Sequence, residues 1–202
     1  VFSMSRIKKA VAAALIGCVL LSLVGFGGKC ADIRQKVVRI HVLANSDSTE
    51  DQQLKLRVRD AVLSAADGLT EGCADREEAL SVLAAHCPEL KKAAEDCLKA
   101  EQSDYPVQVS LKRMYFTTRE YEKGTLPAGL YDAVRVEIGE AAGQNWWCVI
   151  FPSICLPASG ADWDSVLTPD ETDIVENAPR YTIGFKTVEW WEGLCEWFRE
   201  RF

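Results

Sequence analysis

The sequence is poor in the residues that enzymes and metal proteins use most. It has only two histidines, His41 and His86, and none of its eight cysteines belongs to a C-x-x-C pair. Structural zinc sites usually take Cys and His ligands at short paired spacings. The chain also has no G-x-S-x-G motif, no H-E-x-x-H motif and no glycine-rich phosphate loop. We therefore expect no cofactor, no metal site and no catalytic residues.

Basic residues are fewer than acidic ones. The chain has 23 Lys and Arg against 30 Asp and Glu, which gives a formal net charge of −7. Binding of nucleic acid depends on Lys and Arg that neutralise phosphates, and the sequence has no basic stripe. We expect no nucleic-acid partner. The chain beyond its N-terminal segment has the length of one domain.

Residues 1–30 have the composition of an export segment. A basic start is formed by Arg6, Lys8 and Lys9. An apolar run follows over residues 10–28, and Gly25-Phe26-Gly27 fits a small-x-small cleavage site. The run is also close to the ~20 apolar residues that a spanning helix needs. A cleaved signal peptide and a retained membrane anchor both stay open, and a lipidated Cys18 is a third, weaker alternative because the apolar run continues past it.

Eight cysteines are many for a protein of the reducing cytosol, so they favour export and disulfide formation. Cys148 and Cys155 lie on either side of Phe151-Pro152. We expect a Cys148–Cys155 disulfide that holds this turn in shape. A buried, unpaired cysteine that packs as a small hydrophobic residue is the alternative.

The first element of the domain is a strand followed by a helix. Residues 37–44 are β-branched and apolar, which predicts a buried strand. Turn-forming residues at 45–48 end it. Ser48 and Asp51 have the spacing of a helix N-terminal cap. The apolar periodicity after them predicts a helix over residues 49–66.

Two more helices are predicted over residues 74–85 and 88–102. The break between them falls at Pro88, which is a good first-turn residue. The two helices would then form an antiparallel hairpin. In that arrangement Cys73 and Cys97 come level with each other, and we expect a second disulfide between them.

The C-terminal half of the domain alternates as strands. Patterns of period two cover residues 105–111 and 131–138, and an aromatic strand covers 146–151. We expect these strands to form a β meander. The adjacent side chains of Trp146 and Trp147 must point to opposite faces of the sheet.

This order of elements predicts an α+β fold. We expect a small sheet, made of the first strand and the C-terminal meander, with about three helices packed on one face and an appended aromatic helix. The predicted division is an export segment at 1–30, an α+β domain at 31–156, an acidic flexible linker at 157–180, and a strand with an amphipathic helix at 181–202.

The C-terminal helix is rich in aromatic residues. Trp190, Leu194, Trp197 and Phe198 fall on one face at helical spacing. We expect this face to pack back on the domain. A helix that docks on a membrane surface or a partner is the alternative, although the acidic residues around it disfavour anionic lipid.

Several sequence blocks together resemble one known family, the stage II sporulation protein R family of endospore-forming bacteria. The blocks are residues 39–48, 50–60, 126–136, the Trp146-Trp147-Cys148 stretch and 185–191. None of them is a catalytic motif. Cys73, Cys87, Cys97 and Cys195 lie outside the matching blocks, so the resemblance implies no role for them.

The resemblance implies a signalling protein. Members of this family are exported from the forespore into the space between the two sporulation membranes. There they trigger a membrane-embedded aspartic protease of the mother cell, which processes the precursor of sigma-E. Two alternatives stay open: an exported envelope hydrolase that uses Cys148 or His41, and a membrane-tethered structural protein of the spore envelope.

We predict two candidate surfaces for contact with the protease partner. The first is the polar loop and helix start, with the residues Asn45, Ser46, Asp47, Gln52, Lys55, Arg57 and Arg59. The second is the aromatic ribbon of residues 146–155, with Trp146, Trp147, Phe151 and Pro152. Aromatic and Arg side chains are the usual energetic anchors of interfaces. Core packing is the alternative for the ribbon.

Overall fold

The described part of the chain folds into five α-helices and six strands. The structure is a computed structural model that describes residues 4–154 and 162–201. In chain order the elements are α1 (Met4–Arg34), β1 (Val38–Leu43), α2 (Thr49–Ala66), α3 (Arg76–Ala100), β2 (Val107–Phe116), β3 (Arg119–Tyr121), β4 (Gly124–Leu126), β5 (Gly129–Ile138), β6 (Asn145–Phe151), α4 (Pro169–Glu176) and α5 (Thr182–Arg201). The predicted α+β class is confirmed.

The main sheet has the strand order β2-β5-β1-β6, and β3 and β4 form a separate hairpin. β1 pairs parallel with β5 and antiparallel with β6. The predicted meander is therefore wrong, because β1 lies between the two strands that we expected to pair. The connection from β5 to β6 instead passes over the end of β1. There the amide of Gly143 donates to the Ala44 carbonyl at 3.0 Å.

β1 is buried along its whole length, on both faces of the sheet. Val38, Ile40 and Val42 belong to the core between the sheet and helices α2 and α3. Arg39 and His41 point to the opposite face. A second core covers that face, built from buried residues of α1, α4 and α5 together with Trp163.

α3 is one continuous helix, so the predicted helical hairpin is wrong. Pro88 lies inside it, on an exposed part of its surface where Ala84 is exposed as well. A proline leaves the carbonyl four residues before it without its helical donor. Water can replace that donor at an exposed position.

The Cys73–Cys97 disulfide that we expected is not formed, because both cysteines are free thiols. Cys73 precedes the N-cap of α3 at Asp75, whereas Cys97 is near the end of the helix. At ~1.5 Å per residue they are separated by about 30 Å of helix. Each is instead partly buried against the core.

The segment that we expected to be an acidic flexible linker is folded from residue 162 onward. Trp163 is fully buried, and its Nε1 donates to the Lys123 carbonyl at 2.7 Å. α4 begins with a capping box between Thr168 and Glu171. The expected strand at the start of the last predicted unit is wrong too, since α5 is helical from Thr182.

Helix α1 packs into the domain through its C-terminal half. Cys30 and Ile33 are fully buried. Phe26 stacks on Tyr181 at 5.7 Å between ring centroids and meets Phe185 edge-on at 5.5 Å. α1 therefore runs beside α5. Among the described residues, no helix is long and apolar enough to cross a membrane.

The crossing of β1 by the β5–β6 connection can be tested at Gly143. A Cβ atom at this position would lie 2.2 Å from the Ser46 carbonyl oxygen. Overpacking of this kind typically costs about 1–3 kcal/mol, so Gly143→Ala should lower the free energy of unfolding by about that amount in urea titrations. Gly193→Ala is the control, because its Cβ would come no closer than 3.7 Å to the Tyr115 hydroxyl. Equal stability of Gly143→Ala and wild type would contradict this packing.

Candidate partner-binding surfaces

The polar loop before α2 is tied down by hydrogen bonds of its own. Asp51 is buried, and its carboxylate accepts from Asn45 Nδ2 at 2.8 Å and from Ser46 Oγ at 2.5 Å. Its backbone amide donates to Ser48 Oγ at 3.1 Å, so the predicted cap at Ser48 is confirmed. The bonds from Ser46 and Asn45 hold the pKa of the Asp51 carboxyl below its usual range.

Gln52 and Lys55 belong to the same hydrogen-bond network. Lys55 is buried, and its ammonium donates to Gln52 Oε1 at 2.6 Å and to the Gln144 carbonyl at 2.9 Å. Burial lowers the pKa of Lys55. The amide of Gln144 in turn donates to Asp47 Oδ1 at 2.7 Å. The first surface is therefore a joint between α2 and the β5–β6 connection.

The more exposed part of this region contains Asp47, Arg57 and Arg59. Asp47 and Arg57 are exposed, and Arg57 forms an ion pair with Glu101. Arg59 is half-buried, and its guanidinium carbon lies 4.8 Å from the ring centre of Trp146. The two predicted surfaces therefore meet at the contact between Arg59 and Trp146.

The two tryptophans of the ribbon lie on opposite faces of the sheet, as predicted. Trp146 packs against the core of α2 and α3, and Trp147 packs against the core on the other face. Each is half-buried and each lies under an arginine. Arg119 covers Trp147 at 3.6 Å from its ring centre. The ribbon thus forms two Arg–Trp contacts, one on each face.

The end of the ribbon is part of the core. Phe151 and Pro152 are both buried, which makes a direct contact of these two side chains with a partner impossible without rearrangement. Cys148 is buried and disulfide-bonded. Cys155 lies outside the described residues, so the Cys148–Cys155 pairing stays a prediction.

An arginine that the sequence pattern did not single out occupies the centre of the second face. Arg39 is fully buried, and its guanidinium carbon lies 4.1 Å from the ring centre of Phe116 and 4.9 Å from that of Tyr131. Its NH2 group donates to the Tyr121 hydroxyl. No carboxylate pairs with it among residues 4–154 and 162–201. An arginine in a strand whose other residues, apart from His41, are apolar was the available signal.

His41 is a structural histidine in an aromatic setting. It is buried and meets Trp147 edge-on at 5.6 Å and Phe116 at 6.1 Å between ring centroids. Burial lowers the pKa of His41 to about 4. Neither ring nitrogen bonds to a Ser, Thr or Cys side chain in the part of the chain that the structure describes. A base for a nucleophile needs such a bond.

The aromatic face of α5 does not pack back on the domain. Phe185 and Val188 are the buried residues of this helix. Trp190, Leu194 and Trp197 are exposed. The expectation that this face is covered is therefore wrong, and the alternative of a docking helix gains support.

The fold and these surfaces describe a small α+β protein whose exposed aromatic and arginine side chains suit contact with other macromolecules. The family model of stage II sporulation protein R matches residues 34–161. This is more than half of the 202 residues, and the chain belongs to the stage II sporulation protein R family. It therefore has a role in sporulation.

A relative with this name is known from Bacillus subtilis (strain 168). Stage II sporulation protein R of that organism is 37% identical to the chain over 123 residues, which are 61% of this chain and 55% of the relative. The chain thus matches little more than half the length of this curated relative. No solved structure shows significant similarity to it.

The buried, neutral His41 should make stability depend on pH. Its pKa is lowered from 6.5 to about 4, so between these values the unfolded chain binds the proton and the folded chain does not. Stability is then highest above pH 6.5 and falls as the pH drops to 4, with a slope of up to ~1.4 kcal/mol per pH unit. In His41→Leu this component of the slope should vanish in urea titrations at several pH values. Carboxylates titrate in both proteins, so their contribution cancels when wild type is compared with His41→Leu. Identical pH slopes of the two proteins would refute a buried, neutral His41.

Proposed function

We propose that this protein is exported during sporulation and activates a membrane-embedded aspartic protease, which then processes the precursor of sigma-E. The observation that carries the proposal is the family match over residues 34–161. The protein acts by contact with the protease and not by a reaction of its own. Its place of action is the space between the forespore and mother-cell membranes.

The two residues that could serve an exported hydrolase are poorly suited to catalysis. Cys148 is disulfide-bonded, so it has no thiolate to act as a nucleophile. His41 is buried, and its pKa of about 4 makes it too weak a base to accept a proton readily at neutral pH. These observations favour signalling by contact over envelope hydrolysis.

Residues 1–30 are the proposed export segment. Cleavage after Gly27 would retain the C-terminal part of α1, which binds to the rest of the domain. Arg34 would remain, with its guanidinium bonded to Glu192 at 2.7 Å and to the Ala128 carbonyl at 2.9 Å. Lys29 would remain as well, with its ion pair to Asp170 at 2.7 Å. In the alternative, the N-terminal segment is retained as a membrane anchor and the proposed function is unchanged.

The proposed contact with the protease is the region where Arg59 covers Trp146. It joins the loop, α2 and the ribbon, and it lies within the part of the chain that the family model matches. Arginine and tryptophan are enriched among the residues that dominate binding energy. The exposed Asp47 and Arg57 lie in the same region.

The chain offers a matched pair of arginines for a test of this contact. The chain, a membrane-embedded aspartic protease of the sigma-E pathway and the sigma-E precursor are expressed together, and precursor cleavage is followed on immunoblots. Arg59→Ala should reduce cleavage by about tenfold, since interface anchors typically contribute upwards of ~1–2 kcal/mol. Arg119→Ala removes the arginine of the other Arg–Trp contact and should leave cleavage near the wild-type level.

Two further measurements make this experiment decisive. Circular dichroism of the purified variants shows whether both stay folded. Absence of cleavage with the wild-type chain would refute the proposed function. Cleavage that depends on the wild-type chain but is equal in Arg59→Ala would refute only the proposed contact. Loss of sigma-E precursor cleavage when residues 4–27 are deleted would support the proposal that the protein must be exported to activate the protease.

A further inference from the structure

Helix α5 carries a stripe of large apolar side chains on the side that faces away from the domain. The exposed fractions are 68% for Trp190, 57% for Trp191, 36% for Leu194, 48% for Trp197 and 50% for Phe198. At ~100° per residue these five lie within about 60° of Leu194, which is the centre of the stripe. We call these five residues the aromatic stripe.

The aromatic stripe is large enough to be an interface. Tryptophan and phenylalanine side chains bury roughly 150–250 Å² each when fully covered. With the exposed fractions above, two copies of the stripe would bury on the order of 1,000 Å² in total, which is what a specific interface needs. Exposed apolar patches of this size on a folded protein usually mark an interaction site.

The charges around the aromatic stripe argue against a membrane surface as its occupant. Helices that lie in the membrane interface typically carry Lys and Arg on their polar face. Here the four glutamates of the helix, Glu189, Glu192, Glu196 and Glu200, outnumber its basic residues Lys186, Arg199 and Arg201, and the whole chain has a net charge of −7. The helix therefore lacks the excess of basic residues that draws such helices to anionic lipid.

The aromatic stripe is complementary to itself when a second copy runs antiparallel. Trp190 and Phe198 each lie four residues from Leu194, and Trp191 and Trp197 each lie three residues from it. A pairing centred on Leu194 therefore sets every aromatic side chain of one helix level with an aromatic side chain of the other. The two leucines meet at the two-fold axis, as an isologous interface requires.

The flanking charges fit the same arrangement. Lys186 and Glu200 lie on the same flank of the stripe, since they are 14 residues apart on one helix. Antiparallel pairing brings identical flanks together, so Lys186 of one copy lies opposite Glu200 of the other, offset by about 3 Å along the axis. Within the described residues of a single copy, Lys186 bonds only to Glu189 on the next turn, at 3.2 Å, and its side chain is 77% exposed.

We propose that the protein forms a two-fold symmetric dimer in which the aromatic stripes of two α5 helices pack antiparallel around Leu194. The charge pairs between Lys186 and Glu200 form twice and set the register. The domain itself holds α5 in place through Phe185 and Val188, which leaves the aromatic stripe available to the second copy. The dimer does not depend on which molecule the protein signals to.

Sedimentation equilibrium of the full chain over a range of concentrations tests the dimer. Wild type should fit a monomer–dimer equilibrium. Leu194→Asp places two like charges at the two-fold axis and should raise the dissociation constant at least about tenfold. Leu21→Asp is the matched control, because Leu21 is an exposed leucine on α1, away from the aromatic stripe, and its replacement should leave the equilibrium unchanged.

The register is tested by a charge reversal. Lys186→Glu and Glu200→Lys should each weaken the dimer by about three- to tenfold, since each creates like-charge contacts in both copies. The double variant restores opposite charges and should return the dissociation constant to near the wild-type value. This rescue distinguishes a lost contact from a damaged helix, and circular dichroism of each variant gives an independent measure of folding.

Three results would overturn the proposal. The first is a wild-type chain that stays monomeric at all concentrations. The second is a dimer that Leu21→Asp breaks and Leu194→Asp does not, which would place the interface on α1. The third is a monomer that binds vesicles of zwitterionic lipid through α5, with binding lost in Leu194→Asp, which would make a lipid surface the occupant of the aromatic stripe.

Discussion

The burial of β1 on both faces is the constraint on which the rest of the structure depends. β1 lies between a parallel and an antiparallel neighbour, and all six of its residues are buried. A central strand of this kind needs a covering layer on each side of the sheet. α2 and α3 form one layer. The other has to come from segments far apart in the chain, and α1, α4 and α5 provide it.

This requirement explains why α1, α4 and α5 are built into the fold. The second face presents Arg39 and His41, two polar side chains that would be costly to bury among aliphatic residues alone. Aromatic rings surround both instead, and they hold the guanidinium of Arg39 through their negative faces. Phe116 contacts both side chains. The polar groups of β1 therefore explain the aromatic character of the core on this side.

Local signals in the sequence were sufficient for single elements. The cap at Ser48 and the apolar periodicity after it predicted α2 with its observed bounds. Pro88 was given too much weight, because the free-energy cost of a proline inside a helix depends on whether the unpaired carbonyl is exposed to water. Residues 157–180, which include α4, were taken for a linker because of their acidic composition, whereas the capping box of Thr168 and Glu171 was the better guide. The insertion of β1 between β5 and β6 is a long-range choice that no local pattern encodes.

The candidate surfaces follow the same division between local and long-range information. Side-chain alternation was enough to predict that Trp146 and Trp147 point to opposite faces. It could not show that Arg59 and Arg119 cover them, since each arginine comes from a distant element. Polarity was an even weaker guide, because Asp51 holds the loop before α2 and Lys55 joins α2 to the β5–β6 connection. In this fold buried polar residues fix the architecture, and the exposed tryptophans of α5 carry the larger capacity for recognition.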